Sequence, residues 1–118
     1  MINHFLSATD LSREQTEALL KRAQALKAEW RNGGHPALLL QGKTLALVFE
    51  KPSLRTRVSF EAGIAHLGGT SLFLSREECG LGWRETLEDF TRTMNHYVDG
   101  LILRVFKHAT VTTIAHNA

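Results

Sequence analysis

The stretch Leu45-Ala-Leu-Val-Phe-Glu-Lys-Pro-Ser-Leu-Arg-Thr-Arg57 decides how the rest of the sequence is interpreted. Its first five residues are all apolar, which is typical of a strand buried on both faces of a parallel sheet. A polar turn containing Pro52 follows, and a helix is predicted to begin at Ser53 and to run to Leu67. A buried strand that leads through a short turn into a helix is the first half of a β-α-β unit.

Further strands and helices repeat this alternation downstream. Strands are predicted at residues 71–74 and 101–103, with a loop over residues 75–83 and a weak final helix over residues 111–116. A third helix, closed by Gly100, is marked by the apolar residues Leu87, Phe90, Met94 and Tyr97. Strands that alternate with helices predict an α/β fold: a small open parallel sheet with helices on both faces, in three layers α/β/α.

The N-terminal segment predicts one more amphipathic helix. Ser12 and Gln15 match a capping box, the pattern that starts a helix. One apolar stripe runs along the helix that follows, and it consists of Leu19, Ala23, Leu26 and Trp30. We therefore expect Trp30 to belong to the core rather than to form a platform for a ligand.

The composition excludes several classes of protein. A chain of 118 residues with net charge +2 and 43% hydrophobic residues fits one soluble globular domain. Its longest apolar run, residues 45–49, is too short for a transmembrane helix, which needs about 20 residues. The basic residues are scattered, so neither nucleic acid nor a membrane is expected as a partner. Cys79 is the only cysteine, which predicts a reducing, cytoplasmic location, and the histidines show no metal-binding spacing.

The turn after the first strand is the part of the sequence best suited to bind an anion. In an open parallel sheet, ligands bind at the carboxyl ends of the strands, and the first amides of the following helix lack partners within the helix. Ser53 and Thr56 offer hydroxyl groups there, and Arg55 can form two hydrogen bonds with a phosphate. The turn contains neither a Walker motif nor a dinucleotide-binding fingerprint.

The other two basic residues of the turn, Arg57 and Lys51, are expected to have different roles. Arg57 lies two residues beyond Arg55, roughly 200° around the helix, so we expect it to face away from the anion. It can then pair with Glu61 or with Glu50. Lys51 either adds to the positive field or is simply solvated. From the residues alone, the alternative of a capped helix with solvated arginines stays open.

The turn resembles the carbamoyl-phosphate loop of the aspartate/ornithine carbamoyltransferase family, whose usual core reads Ser-Thr-Arg-Thr-Arg. The resemblance continues through residues 58–61, 67–69, 81–82, 85, 89, 97–100 and 103–106, and it thus spans nearly the whole chain. The Glu-Lys pair before Pro52 is similar to the ornithine branch of the family.

The resemblance implies transfer of a carbamoyl group from carbamoyl phosphate to the δ-amine of ornithine, giving citrulline and phosphate without a metal or an organic cofactor. The residues that it implies for carbamoyl phosphate binding are Ser53, Leu54, Arg55, Thr56 and Arg104. Arg104, at the end of the third strand, is expected to contact both the phosphate and the carbamoyl oxygen. Arg55 and Arg104 are the implied catalytic residues, and Arg57 supports them.

The resemblance also implies a domain organisation. Residues 1–118 correspond to the carbamoyl-phosphate-binding domain of a two-domain enzyme and are expected to be truncated, with the amino-acid-binding second domain absent. The family is trimeric, so a homo-oligomer is expected for the intact protein, with a role in arginine biosynthesis. A His-Pro-x-Gln segment of the family is missing from this sequence, and the isolated chain is therefore expected to be inactive.

Two positions depart from the family pattern. Leu54 replaces the first Thr of the loop, so the main-chain amide remains but the hydroxyl is lost. Gly80 stands where ornithine-type enzymes usually carry a Gln or His that reaches the neighbouring subunit's site, and Trp83 or Arg84 is a possible substitute. Two alternatives therefore stay open: a non-catalytic anion-binding or assembly module, and a carbamoyltransferase that uses another acceptor such as aspartate.

Three further residues have weaker candidate roles. His108 follows the third strand and could line the same edge, although a surface histidine is the simpler interpretation. Cys79 has no neighbouring His or Lys to lower its pKa, so we expect it to be unreactive. Trp83 lies in a polar loop, where it could form a subunit contact.

Overall fold

The structure is a computed structural model that describes residues 3–34 and 38–118, which fall into two units, Met1–Ala37 and Leu38–Ala118. The first unit contains a short 3-10 helix, Ala8–Asp10, and the long helix α1, Arg13–Arg31. The predicted capping box of α1 is confirmed. The Ser12 hydroxyl accepts a hydrogen bond from the Gln15 N–H at 3.1 Å, and the Gln15 side chain accepts one from the Ser12 N–H at 2.8 Å.

The apolar stripe of α1 is not buried. None of the residues of α1 is buried, and Trp30 is 43% exposed. The expectation that Trp30 belongs to the core is therefore wrong. Residue spacing shows that one face of a helix is apolar, but it does not determine whether another element covers that face.

The second unit is built on three parallel strands. Its elements in chain order are β1 (Thr44–Phe49), α2 (Leu54–His66), β2 (Thr70–Ser75), α3 (Arg76–Cys79), α4 (Leu87–Asn95), β3 (Gly100–Arg104) and α5 (His108–Asn117). β1 is central and pairs in parallel with β2 on one side and β3 on the other. This is the small open parallel sheet that the sequence predicts. No helix among the described residues is long and apolar enough to cross a bilayer.

Alternate residues of β1 point to two separate cores, because successive side chains of a strand leave opposite faces of the sheet. Leu47 and Phe49 pack with Ile64 of α2 on one face. The core on the other face consists of Ala46, Val48, Cys79, Leu81, Phe90 and Ile114. Helices thus cover both faces, which confirms the predicted layering. Each fully buried Leu or Val contributes about 1.5–3 kcal/mol by leaving water.

Several elements differ in extent from the prediction; α5, for example, begins at His108 and not at residue 111. Residues 76–79, predicted as loop, form α3, and its signal is the capping-box pair of Ser75 and Glu78. Tyr97 was assigned to the third helix, but it follows the end of α4 and is 75% exposed. Gly100 is the first residue of β3 and does not close the helix. A Cβ at residue 100 would lie 2.8 Å from Cδ2 of Leu45, its partner in the sheet, so only glycine fits there without a shift.

Candidate anion-binding site

The ends of the three strands lie level at the carboxyl edge of the sheet. Phe49 of β1 is in register with Ser75 of β2 and with Arg104 of β3. The main-chain N–H of Glu50 donates a hydrogen bond to the Arg104 carbonyl oxygen at 2.8 Å. Arg104 therefore lies beside the start of the turn that leads into α2, as the sequence predicts for strand ends of a parallel sheet.

This turn brings an uncapped helix N-terminus to the edge. Ser53 is the N-cap residue, but its hydroxyl caps no main-chain group and instead donates to Thr56 Oγ1 at 2.9 Å. The first hydrogen bond of the helix runs from the Arg57 N–H to the Ser53 carbonyl at 3.0 Å. The N–H groups of residues 54–56 consequently have no hydrogen-bond partner among the described residues. Such groups carry the positive end of the helix dipole and suit an anion.

The hydroxyl groups of the turn are arranged to donate. Thr56 Oγ1 accepts the Ser53 proton, so the hydrogen of the Thr56 hydroxyl remains available for a ligand oxygen. A side-chain oxygen caps α3 and α4 at their N-termini, whereas α5, like α2, has no side-chain cap. At the start of α2 the free amides lie next to the hydroxyl proton of Thr56 and the side chain of Arg55.

The two arginines of the turn have different surroundings. Arg57 lies over the Phe73 ring, 3.6 Å from its centroid, and its Nε is 3.5 Å from Glu61 Oε2, which confirms the predicted pairing with Glu61. Arg55 and Arg104 are exposed, and neither makes an ion pair or hydrogen bond through its side chain with any described residue. These two guanidinium groups are free to bind a ligand, whereas Arg57 anchors the helix.

Glu50 and Phe106 form a part of this edge that the sequence interpretation missed. The sequence indicates Glu50 only as a partner for Arg57. In the structure, Glu50 Oε1 accepts a hydrogen bond from the Phe106 N–H at 3.1 Å. The Phe106 ring lies 5.5 Å from Lys51 Nζ and 5.6 Å from Arg76 Cζ. Each of these residues follows a strand end by one or two positions, which is the signal that could have indicated them.

Leu54 adds no polar group to the site. It is the first residue of α2 and is 76% exposed, so its side chain is directed largely to solvent. Its main-chain N–H belongs to the free set described above. The departure from the family pattern at this position therefore removes a hydroxyl and leaves the amide donor in place.

The loop after α3 gives a structural reason for Gly80. This residue ends α3 in the left-handed conformation, with φ +58°. A Cβ at residue 80 would lie 2.6 Å from Nε and 2.8 Å from Cβ of Arg84, whose guanidinium lies 4.5 Å from the Trp83 ring. Arg84 thus occupies the space that a side chain at residue 80 would take.

Cys79 and His108 are the two remaining candidates. Burial, followed by the charges of Glu78, Glu50 and Glu85, raises the pKa of the Cys79 thiol to about 11, so the thiol stays protonated at neutral pH. His108 is the first residue of α5 and is exposed. Within residues 3–34 and 38–118, no three His, Cys, Asp or Glu side chains are grouped as a metal site would require.

Known proteins resemble this chain over almost its whole length. The family model for the aspartate/ornithine carbamoyltransferase carbamoyl-P binding domain matches residues 3–118. An ornithine carbamoyltransferase of Methanocorpusculum labreanum is 48% identical over 100% of this chain and 38% of its own length. The chain thus spans little more than a third of that relative.

Solved structures agree with this assignment. The ornithine carbamoyltransferase of Pyrococcus furiosus superposes with a TM-score of 0.91 at 41% identity, covering 97% of this chain and 36% of that one. The catalytic subunit of the M. jannaschii aspartate transcarbamoylase superposes with a TM-score of 0.85 at 30% identity, covering 99% and 38%. The chain belongs to the aspartate/ornithine carbamoyltransferase family, within which it matches the carbamoyl-phosphate-binding domain.

Proposed function

We propose that this chain binds carbamoyl phosphate at the carboxyl edge of its sheet and supplies half of a site that carbamoylates the δ-amine of ornithine. One observation carries the proposal: the free N–H groups of residues 54–56 lie at the start of α2, on the same edge as the unpaired side chains of Arg55 and Arg104. Positively charged and polar donors that converge without internal partners are suited to a phosphate dianion.

Each group of the site has a distinct role in this proposal. The amides of residues 54–56, the Thr56 hydroxyl and the Arg55 guanidinium bind the phosphate. The Ser53 hydroxyl, which donates to Thr56 in this structure, turns its proton to the phosphate when the ligand binds. Arg104 contacts both the phosphate and the carbamoyl oxygen. Arg57 supports the site by packing on the Phe73 ring of β2 and pairing with Glu61 one turn further along α2.

The chemistry follows from these roles. The amine nitrogen attacks the carbamoyl carbon, and the bond between that carbon and the phosphate oxygen breaks. Phosphate leaves with the electron pair, and the proton lost by the amine passes to the departing phosphate. Negative charge grows on the carbamoyl oxygen and on the leaving phosphate. Donors that are already in place, above all Arg55 and Arg104, stabilise this charge without reorganisation. The proposal requires no metal and no organic cofactor.

We place the acceptor half of the site outside these 118 residues. Support comes from the 38% share of the curated relative that the chain spans. In the same proposal the intact protein has a second, amino-acid-binding domain, is a homotrimer of the cytoplasm and acts in arginine biosynthesis. A relative from Pyrococcus furiosus is named as an anabolic ornithine carbamoyltransferase, which supports the last point.

Calorimetric titration of the chain with carbamoyl phosphate, inorganic phosphate and sulfate tests the binding half of the proposal. We expect carbamoyl phosphate to bind more tightly than either inorganic ion, because Arg104 contacts a carbamoyl oxygen that the others lack. A coupled assay for citrulline is expected to show no turnover by the chain alone. Citrulline formation by the isolated chain would contradict the division of the site.

A non-catalytic anion-binding module is the second candidate, and the exposed, hydroxyl-free Leu54 favours it. Its signature in the same titration is equal affinity for carbamoyl phosphate and inorganic phosphate. An aspartate acceptor is a third candidate, supported by the similarity to the M. jannaschii aspartate transcarbamoylase. Turnover of the longer gene product with ornithine and with aspartate distinguishes the two acceptors.

A further inference from the structure

Glu50 is hydrogen-bonded twice to the segment that carries Arg104. Its main-chain N–H donates to the Arg104 carbonyl at 2.8 Å, and its Oε1 accepts from the Phe106 N–H at 3.1 Å. The two bonds flank Val105, so they fix the chain where it leaves β3. Glu50 is itself the first residue after β1, and it lies three positions before Ser53.

The placement of Arg104 depends on these bonds. Arg104 is the last residue of β3, and its exposed side chain makes no hydrogen bond, ion pair or ring contact with a described residue. The main chain on either side therefore fixes the position from which this side chain leaves the sheet. Upstream, the sheet holds it. Downstream, residues 105–107 lie in neither strand nor helix, and the Glu50 carboxylate holds the Phe106 amide.

The same hydrogen bond also locates the Phe106 ring. This side chain is 56% exposed, and it has Lys51 Nζ at 5.5 Å and Arg76 Cζ at 5.6 Å from its centroid. One cation follows β1 and the other follows β2, so the ring draws them together at the edge where Arg104 ends β3. Loss of the bond to Glu50 would free the ring together with residue 105.

We propose that Glu50 is a positioning residue for carbamoyl phosphate binding, whose carboxylate directs Arg104 toward the ligand by holding the Phe106 amide. The inference rests on the proposed function. It concerns how Arg104 is oriented rather than which groups touch the ligand.

The direction in which Kd for carbamoyl phosphate changes distinguishes a positioning role of Glu50 from simple electrostatic repulsion. A carboxylate near an anion site repels the anion, so removal of its charge alone strengthens binding. Loss of the hydrogen bond to Phe106 leaves Arg104 mobile and weakens binding. Glu50→Gln removes the charge but keeps an oxygen acceptor of the same length, whereas Glu50→Ala removes both.

Calorimetric titration of the 118-residue chain with carbamoyl phosphate at low salt, on each variant, provides the test. We expect Glu50→Ala to raise Kd about tenfold, as for loss of one hydrogen bond to a charged group, and Glu50→Gln to leave Kd unchanged or lower it. Glu88→Ala, which removes an exposed carboxylate of α4, is the matched control and should leave Kd unchanged within twofold. Exchange of the Phe106 amide, followed by NMR, should become faster in Glu50→Ala and not in Glu50→Gln.

Several outcomes overturn the inference. They are an unchanged or lower Kd in folded Glu50→Ala, and a Kd raised tenfold in Glu50→Gln. Circular dichroism verifies folding, and if Glu50→Ala does not fold, the Kd of Glu50→Gln decides alone. Failure of the unaltered chain to bind carbamoyl phosphate contradicts the proposed function and this inference with it. Normal binding by the unaltered chain, together with normal binding by Glu50→Ala, contradicts the inference only.

Discussion

Removal of the Arg55 side chain is the most informative perturbation of the proposed site. Arg55 is exposed and makes no ion pair or hydrogen bond with any described residue, so Arg55→Ala removes no contact of the free chain. Its stability should therefore remain within about 0.5 kcal/mol of the unaltered chain. Any change in ligand affinity then reports on the bound state.

The magnitude follows from the kind of bond that is lost. A guanidinium that forms a two-pronged contact with phosphate makes charge-assisted hydrogen bonds, and a hydrogen bond to a charged group contributes about 1.5–3 kcal/mol. This range corresponds to a roughly 10- to 150-fold increase in Kd for carbamoyl phosphate. The neighbouring amides of residues 54–56 are unaffected by the substitution, so weak binding should remain.

Isothermal titration calorimetry measures both affinities, and thermal unfolding verifies that the variant is folded. Arg92→Ala is the matched control, because Arg92 is an exposed arginine of α4 whose nearest carboxylate oxygen, on Asp89, is 4.0 Å away. It should leave Kd within twofold. An Arg55→Ala variant that binds carbamoyl phosphate as tightly as the unaltered chain would refute the assignment of Arg55 to the site.

Three further predictions concern single residues. Leu54→Thr should lower Kd for carbamoyl phosphate roughly tenfold in calorimetry, because it restores a hydroxyl donor. Val58→Thr, one turn further along α2, is the control and should leave Kd unchanged. Equal effects of the two substitutions would contradict the placement of the ligand. Gly80→Ala should destabilise the chain by about 1–2 kcal/mol in urea unfolding, because residue 80 has a positive φ and a crowded Cβ position. Gly63→Ala, in α2 with open space around it, should stabilise by about 0.5–1 kcal/mol, and the reverse order of the two glycine variants would refute the argument. Burial raises the pKa of Cys79 from its ordinary value of 9.0 to about 11. Between these two pH values the folded thiol keeps a proton that the unfolded thiol has lost, so the free energy of unfolding decreases as pH rises from 9.0 to about 11. Thiolate absorbance should appear near pH 11 in the folded chain and near pH 9 in denaturant, and a folded midpoint at or below 9.0 would be contradictory.

The sheet was predictable because its determinants are local. The apolar run at residues 45–49 occupies the central strand, and alternate residues of that run fill two cores. Ser53 ends the turn and Ser12 caps α1, as their positions in the sequence indicate. Patterns of this kind depend only on the spacing of apolar residues and on the residue types at the ends of helices.

The features that were missed depend on tertiary contacts. The stripe through Trp30 is apolar, but its exposure depends on what packs against it. Gly100 resembles a helix terminator in sequence, whereas in the structure it begins β3 next to the side chain of Leu45 on the neighbouring strand. α3 is an exception, because its capping box at Ser75 and Glu78 is a local pattern of the sequence.

Part of the geometry of the candidate site follows from the same local patterns. The order of strand, turn and helix places Arg55 and Arg104 at one edge, and the opposed direction of Arg57 follows from helix geometry. The hydrogen bond from Phe106 to Glu50 joins residues 56 positions apart, and no local pattern reveals such a pair.

A crystal structure of the chain with carbamoyl phosphate tests the central claim most directly. We predict that phosphate oxygens lie within hydrogen-bond distance of the amides of residues 54–56 and of the Arg55 guanidinium, with the carbamoyl oxygen at Arg104. A ligand bound elsewhere, or a ligand at this edge with Arg55 turned into solvent, would contradict the account.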